Sequence, residues 1–414
     1  MKILFILTYY RPHVSGLTIY VERLAKVLAE RGHAVTVLTS HYTQDLPYEE
    51  RMDGVRVVRV PVVFRFNKGV VMPGFFLSAW REIRRHDVVS IHLPQVEAAL
   101  AAFLTRLGGR KPLITYHCDL QMPPVWYGKI VDRLTFWDNL AAGKLADTIV
   151  AYTQDFAEHS PFLSRFLGDE AAEEQGGRGV LREEHGGASA PPRLRTSAKV
   201  RVILPPVVIP DPTPAGVAAL RARIGWHEGQ KVIGFAARFA HEKGADYLIN
   251  AIPHILAAFP DIRILFAGPY GNHVIGETIW ETLQPLIKKY ERYLTFLGTL
   301  NAAQMADFYA ACDVITVASI NNTESFGLVQ VEAFQCGTPV VATNLPGVRQ
   351  PVTMTGMGAI VPIADAEGLA EGVIKVLKAP ERYIKPRSEI TRIFELARTV
   401  DTYEQLFEEK RSWC

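Results

Sequence analysis

Cysteine is scarce in this chain: four occur in 414 residues, at positions 118, 312, 336 and 414, and no two form a CxxC pair. A disulfide framework and a clustered zinc site are thereby disfavoured, and a reducing, cytoplasmic setting is expected. Long apolar runs are missing as well. None approaches the ~18 residues of a membrane-spanning helix, and Ile3–Leu7 is shorter than the ~7–15 residues of a signal-peptide core. Neither sign of charge dominates: 45 Lys+Arg against 43 Asp+Glu leave +2, so no global field directs the chain to nucleic acid. There is no DxD pair, no HExxH and no Cys/His ligand cluster. The first apolar run is not followed by GxGxxG either. Residues 8–17 read TYYRPHVSGL with Gly16 alone, which argues against a nicotinamide oxidoreductase.

What is present is globular. The composition is 48% hydrophobic and 21% charged, and the length suits two domains of about 150–200 residues each. Short β-branched runs alternate with longer amphipathic ones, the signature of parallel α/β layers. Lys2–Leu7 reads as a buried strand, Leu17–Arg31 as a helix closed by Gly32, and Ala34–Leu38 as the next strand. Asp87–His92, Leu113–His117, Thr148–Tyr152 and Val200–Leu204 continue the strands of the first half. A second series runs through Lys231–Ala236, Ile262–Ala267, Leu294–Leu297, Val314–Ala318, Val340–Thr343 and Ala359–Val361. The fold class is therefore α/β, with two doubly wound, Rossmann-like domains facing across a cleft. The Pro-rich stretch Leu204–Gly216 marks the joint, giving a first domain at 1–204 and a second at 205–387. Residues 168–199 mix Glu, Arg, Gly and Pro without apolar periodicity and read as a disordered insertion.

Open α/β sheets bind ligands beyond the carboxyl ends of their strands. Gly16 follows the first strand; it either admits an anion to a helix N-terminus or serves as a turn residue. Arg238 and Lys243, in FAARFAHEKGADYL, follow Lys231–Ala236 and make a plausible diphosphate clamp, unless Glu242 simply pairs with Lys243 in a solvated turn. Glu324 and Glu332, in TESFGLVQVEAFQCGTPVV, have seven residues between them, a spacing that chance also supplies. Ser325–Leu328 would open a helix whose N–H groups face an anion, and Glu332 lies in an apolar run where solvation does not explain it. A carboxylate there suits a vicinal diol such as a ribose. His117 ends a strand and is either a ligand contact or a core histidine; Cys118 beside it has no visible base.

In this order, within a βα scaffold, FAARFAHEKG, ESFGLVQVEAFQCGTPVVAT and the opening strand–Gly16–helix resemble the family 4 glycosyltransferases, retaining enzymes of the two-domain GT-B fold. The resemblance covers nearly the whole chain apart from the insertion. It implies that Arg238 and Lys243 grip the diphosphate of a nucleotide-sugar donor, helped by N–H groups around Phe326, Gly327 and Leu328. Glu332 would bind the ribose, Glu324 a hydroxyl of the transferred sugar, and His117 would lie near that sugar. Gly16 would approach the phosphates, Gly298 and Thr299 would line the base, and residues 388–414 would return to the first domain. No cofactor or metal is implied. Three departures stand out: PPVVIPDP replaces an Asn-Gly-Val-Asp-like turn, Ser319–Thr323 is a residue or two longer than usual, and Ser15-Gly16 stands where paired glycines are common.

A UDP- or GDP-sugar is the expected donor; the hydroxyl acceptor is not readable. In 74–86, Phe76, Trp80 and Ile83 share a helical face beside Arg81, Arg84 and Arg85. That helix either packs its aromatic face on the sheet or meets an anionic membrane surface, which would fit a lipid-linked or polysaccharide acceptor. A non-catalytic nucleotide-sugar-binding protein and a sugar-nucleotide epimerase are the alternatives on the same fold.

Overall fold

The computed structural model describes residues 1–66, 69–121, 128–168, 199–271 and 279–411. Most of the insertion read at 168–199, and Cys414, lie outside the described residues. The chain divides into two compact units, one of residues 1–204 with 400–414, the other of 205–399.

The first unit is built on β1 (Lys2–Ile6), α1 (Gly16–Glu30), β2 (Ala34–His41), β3 (Glu49–Met52) and β4 (Val55–Pro61). There follow β5 (Phe64–Phe66), β6 (Gly69–Val71), α2 (Phe75–Ile83), β7 (Val88–Leu93), α3 (Ala98–Leu107) and β8 (Pro112–Tyr116). α4 (Gly128–Leu145), β9 (Thr148–Ala151), α5 (Gln154–His159) and β10 (Val200–Val202) complete it. Eight strands form one sheet in the order β10-β9-β8-β7-β1-β2-β4-β3, and β5 pairs with β6 in a separate hairpin. Every pairing in the large sheet is parallel except β3–β4, which is antiparallel. The continuous burial of β1, β7, β8 and β9 follows from helices covering both faces, so these strands read as apolar runs rather than as alternation. The segment from β3 to β6 escaped the sequence reading. Its strand EERM is a charged edge, paired on one side only, and carries no apolar pattern to detect. α1 begins where the Ser15 side chain accepts from the Thr18 N–H at 3.2 Å and ends before Gly32, whose φ of +87° lets the chain turn into β2.

The second unit contains α6 (Pro214–Arg223), β11 (Lys231–Ala236), α7 (Ala245–Ala258), β12 (Ile262–Ala267), α8 (Ile279–Lys289), β13 (Leu294–Gly298) and α9 (Ala302–Ala311). β14 (Val314–Val317), α10 (Leu328–Gln335), β15 (Val340–Thr343), α11 (Gln350–Thr355), β16 (Gly358–Val361), α12 (Ala366–Lys378) and α13 (Arg387–Ile393) follow. Its six strands are all parallel, in the order β13-β12-β11-β14-β15-β16. Leu248, Ile252 and Ile255 of α7 and Leu369, Val373 and Val376 of α12 fill one core against the sheet.

The Pro-rich stretch is tied to the second unit: Arg387 donates to the carbonyls of Ile209, at 2.7 Å, and Gln335, at 2.8 Å. α13 therefore stays with that unit. The last helix, α14 (Leu396–Arg411), belongs to the first unit from Val400 onward. There the Tyr403 hydroxyl meets the Tyr20 hydroxyl at 2.6 Å and Thr115 Oγ1 at 3.0 Å, all inside the core.

Candidate active site

In the second sheet the chain winds outward from β11 through β12 to β13, then restarts at β14 and winds the other way. The switch point lies between β11 and β14, whose following loops both leave the carboxyl end of the sheet, the end at which open α/β sheets bind ligands. The loop after β11 carries Arg238 and Lys243; the loop after β14 carries Glu324. The two loops are stitched together: the Ile320 N–H donates to the Glu242 carbonyl at 3.1 Å, and Lys243 Nζ donates to Glu324 Oε2 at 2.6 Å. Gly244 makes the approach possible. Its φ is +69°, and a Cβ there would run into the Ala318 carbonyl.

The cations are paired differently from the bland expectation. Glu242 takes the Arg238 guanidinium, four residues back on the same turn, rather than Lys243. Lys243 instead reaches across to Glu324. Burial pushes the Glu324 carboxyl up, but the Lys243 ammonium, its hydrogen bond and the Gly327 and Phe326 N–H groups more than offset that and hold it below the usual range. The Gly327 N–H donates to Glu324 Oε1 at 3.0 Å. Gly327, with φ +77°, turns the chain into α10, and Leu328 is its first residue. Phe326 is buried, its ring centroid 6.0 Å from that of Phe394, and its carbonyl accepts from Gln330 at 2.9 Å. Ser319–Thr323 is held by a local turn, with Asn321 Oδ1 accepting from the Thr323 N–H at 3.2 Å and hydroxyl at 2.7 Å.

Glu332 lies farther along α10, 9% exposed, and its Oε2 accepts from the Tyr309 hydroxyl at 3.0 Å. Nothing in the sequence pattern pointed to Tyr309, because it sits in the apolar stripe of α9, and Glu242 was read as a partner of Lys243 rather than of Arg238. Gly298 ends β13 and Thr299 follows it, two strands from the switch point. They remain at the same end of the sheet, since the Gly298 carbonyl accepts from the Gly268 N–H at 2.9 Å and the Phe239 N–H donates to the Pro269 carbonyl at 2.9 Å.

The first sheet has its own switch point, between β1 and β7. Gly16 opens α1 there, and a Cβ at Gly16 would meet nothing within 4 Å. His117, expected near the sugar, is 4% exposed and belongs to a core network. Its Nδ1 is bonded to the Tyr152 hydroxyl, its Nε2 lies 2.8 Å from His92 Nδ1, and His92 Nε2 lies 3.3 Å from Ser90 Oγ. A single direction of donation, from Tyr152 to His117 to His92 to Ser90, satisfies these ring nitrogens with both imidazoles neutral. Burial pushes His92 down to about 3 and His117 well below its ordinary value. Two carboxyls were missed near the turn after β7. Burial pushes Glu97 up to about 7 and Asp138 up to about 6, although Asp138 Oδ2 accepts from the Ala99 N–H at 3.3 Å. Cys118 is half-buried and Cys312 and Cys336 are unpaired. Among the described residues no group of three or more His, Cys, Asp and Glu is gathered as a metal site.

Residues 14–160 match the family model "Glycosyltransferase Family 4" and residues 217–391 match "Glycosyl transferases group 1". The D-inositol 3-phosphate glycosyltransferase of Kineococcus radiotolerans is 30% identical over 364 residues, covering 83% of this chain and 76% of that protein. That of Segniliparus rotundus is 28% identical over 390 residues, covering 89% and 78%. The crystal structure of Anabaena Alr3699/HepE in complex with UDP and glucose superposes with a TM-score of 0.71 at 18% identity, covering 99% of this chain and 100% of that one, and shows the same fold of two Rossmann-like domains, GT-B. With both halves matched by family models and one relative similar along most of its length, the chain belongs to the family 4 glycosyltransferases.

Proposed function

We propose that this protein is a retaining hexosyltransferase that moves a sugar from a UDP- or GDP-sugar to an acceptor hydroxyl without a metal ion. The observation that carries the reading is the Lys243–Glu324 pair at the sheet's switch point, with Arg238 on the same loop and the N-terminus of α10 beside it. Donor binding exchanges carboxylate partners for phosphate ones. Lys243 and Arg238 turn to the diphosphate, and Glu324, relieved of Lys243, accepts a hydrogen bond from a sugar hydroxyl. Glu332, fixed by Tyr309, takes the ribose hydroxyls, and the end of β13 at Gly298, with Thr299 after it, lines the base. His117 then acts by positioning the loop after β8.

The chemistry follows from charge. The bond between the sugar's anomeric carbon and the diphosphate oxygen breaks as the acceptor oxygen bonds to that carbon from the same face. The departing diphosphate takes the acceptor's proton. Negative charge grows on the leaving group, where two cations and helix N–H groups stabilise it. The names of the relatives add phosphorylated inositols to the acceptors to be tried, beside lipid-linked and polysaccharide precursors.

The test is thermal-shift binding of UDP-, GDP- and ADP-sugars in the presence of chelator, followed by NMR assignment of the product's anomeric configuration. A ligand at ~100 times its Kd adds about 2.7 kcal/mol of stability. One nucleotide class should shift the melting point, the shift should vanish in Glu332→Ala, and an α-linked donor should give an α-linked product. Binding that requires a divalent ion, or an inverted product, rejects the proposed mechanism.

A further inference from the structure

The steps β7–α3–β8 and β8–α4–β9 advance across the first sheet in the same direction, and α2 leads into β7. Right-handed crossovers therefore put α2, α3 and α4 side by side on one face. Their inward sides share one core: Phe75, Ala79 and Ile83 of α2, Ala101 and Leu104 of α3, Ala142 of α4. This corrects the helical face read at 74–86, since Ile83 is buried whereas Phe76 is exposed.

The outward sides are not the polar surface that such a layer ordinarily presents. α2 exposes Phe76 at 47% and Leu77 at 70%, and α3 exposes Phe103 at 51% and Leu107 at 61%. On α4, Ile130, Leu134 and Trp137 are 56%, 66% and 57% exposed and recur at i, i+4, i+7, a continuous stripe. Beside α2, the cross-strand pair Phe64 and Val71 of the hairpin is exposed as well. Charge supplies an independent observation. Every exposed charged residue on the three helices is basic: Arg81 on α2, Arg106 on α3, and Lys129, Arg133 and Lys144 on α4, with Arg84 just after α2. Glu82, on the same layer, is buried and held by Arg56 at 2.7 Å. In a chain whose formal charge is only +2, this is a local concentration.

We propose that the outer face of α2, α3 and α4 is a docking surface for an anionic lipid bilayer. The apolar side chains enter the boundary between headgroups and acyl chains, and the arginines and lysines meet the lipid phosphates. Attachment is peripheral, because no described helix is long and apolar enough to cross a membrane. A second copy of the chain is the poorer occupant: a two-fold contact would set this basic face against itself.

The experiment is flotation of the full chain with vesicles of phosphatidylglycerol and phosphatidylcholine, or of phosphatidylcholine alone, at about 50 mM and about 500 mM salt. The protein should float with the anionic vesicles at low salt and stay behind with the neutral ones. Leu134→Ser/Trp137→Ser should lower partitioning about tenfold, and Lys129→Glu/Arg133→Glu should lower it at least as much. These positions are exposed, so unchanged circular dichroism and melting of the variants establish that the loss is not unfolding. Ile360→Ser/Ile363→Ser, at exposed apolar positions of the second unit, should leave flotation intact. Absence of flotation with anionic vesicles overturns the proposal, as does flotation indifferent to the α4 variants. A dimer in sedimentation velocity that Leu134→Ser/Trp137→Ser dissolves also overturns it, assigning the face to self-association. Donor binding by the same variants should be unchanged, which separates this result from the transferase reading.

Discussion

Lys243 differs from an ordinary surface lysine in having a partner 81 positions away that is itself held by a backbone N–H. Removing it takes away a preorganised cation and also frees Glu324 from the contact that orients it. Lys243→Ala is expected to lower kcat/KM by about 10²–10³. If the two residues act as one unit, Lys243→Ala/Glu324→Ala costs much less than the sum of the single losses, and initial rates across the double-mutant cycle measure that coupling. Strict additivity would detach Glu324 from the diphosphate exchange. Gly16 allows a cleaner separation of fold from function. A Cβ there meets nothing, so Gly16→Ala should leave the melting temperature essentially unchanged. The donor's phosphates are what would meet the added methyl group. A weakened nucleotide thermal shift with an intact fold supports that approach, whereas full binding and full turnover reduce Gly16 to a helix-opening residue.

At the scale of elements, the strand-to-helix loops after β11 and β14 carry the site because Gly244 lets them touch. Gly244→Ala combines a positive φ with a collision at the Ala318 carbonyl. It should cost at least ~2 kcal/mol in denaturant unfolding of the second unit and displace Lys243 from Glu324. Unchanged stability would mean that the loops have an alternative packing. The βα alternation was legible from the sequence because parallel strands covered on both faces must be apolar throughout, so β1, β11 and β12 stand out as runs. β3, β5 and β6 were not, because an edge strand and a hairpin need satisfy only one side; β4, which lies between β2 and β3 and is largely apolar, went unread beside them. Arg238, Lys243, Glu324 and Glu332 could be named from their positions after strands and in an apolar helix. Their partners could not: the Glu242–Arg238 and Tyr309–Glu332 contacts depend on how one loop turns and how α9 lies against α10. His117 stood at a strand end in the sequence, and only the neighbouring strands show that His92 and Tyr152 enclose it.

For the molecule as a whole, the first unit couples two opposed titrations. His92 and His117 are held neutral by burial, so between about pH 6.5 and their depressed native values the unfolded chain binds protons that the native chain refuses. Stability contributed by neutral histidine is complete above pH 6.5 and falls on acidification, by up to about 1.4 kcal/mol per pH unit for each ring. Glu97 and Asp138 work the other way. Burial raises them to about 7 and about 6, so the native state holds protons that the unfolded chain, with carboxyls near 4, releases. Their contribution is complete below about pH 4 and is lost as pH rises toward 7. Between about pH 6.5 and 4.5 the two pairs therefore offset one another. Glu97→Gln/Asp138→Asn removes only the carboxyl half. Compared with the parent, it should gain relative stability toward pH 7 and lose stability more steeply as the pH falls from 6.5 to 4.5. Urea unfolding of the first unit across that range reads the difference directly. Parallel pH profiles for parent and variant would show that neither carboxyl carries a raised pKa, and the acid limb common to both would then belong to the histidines alone.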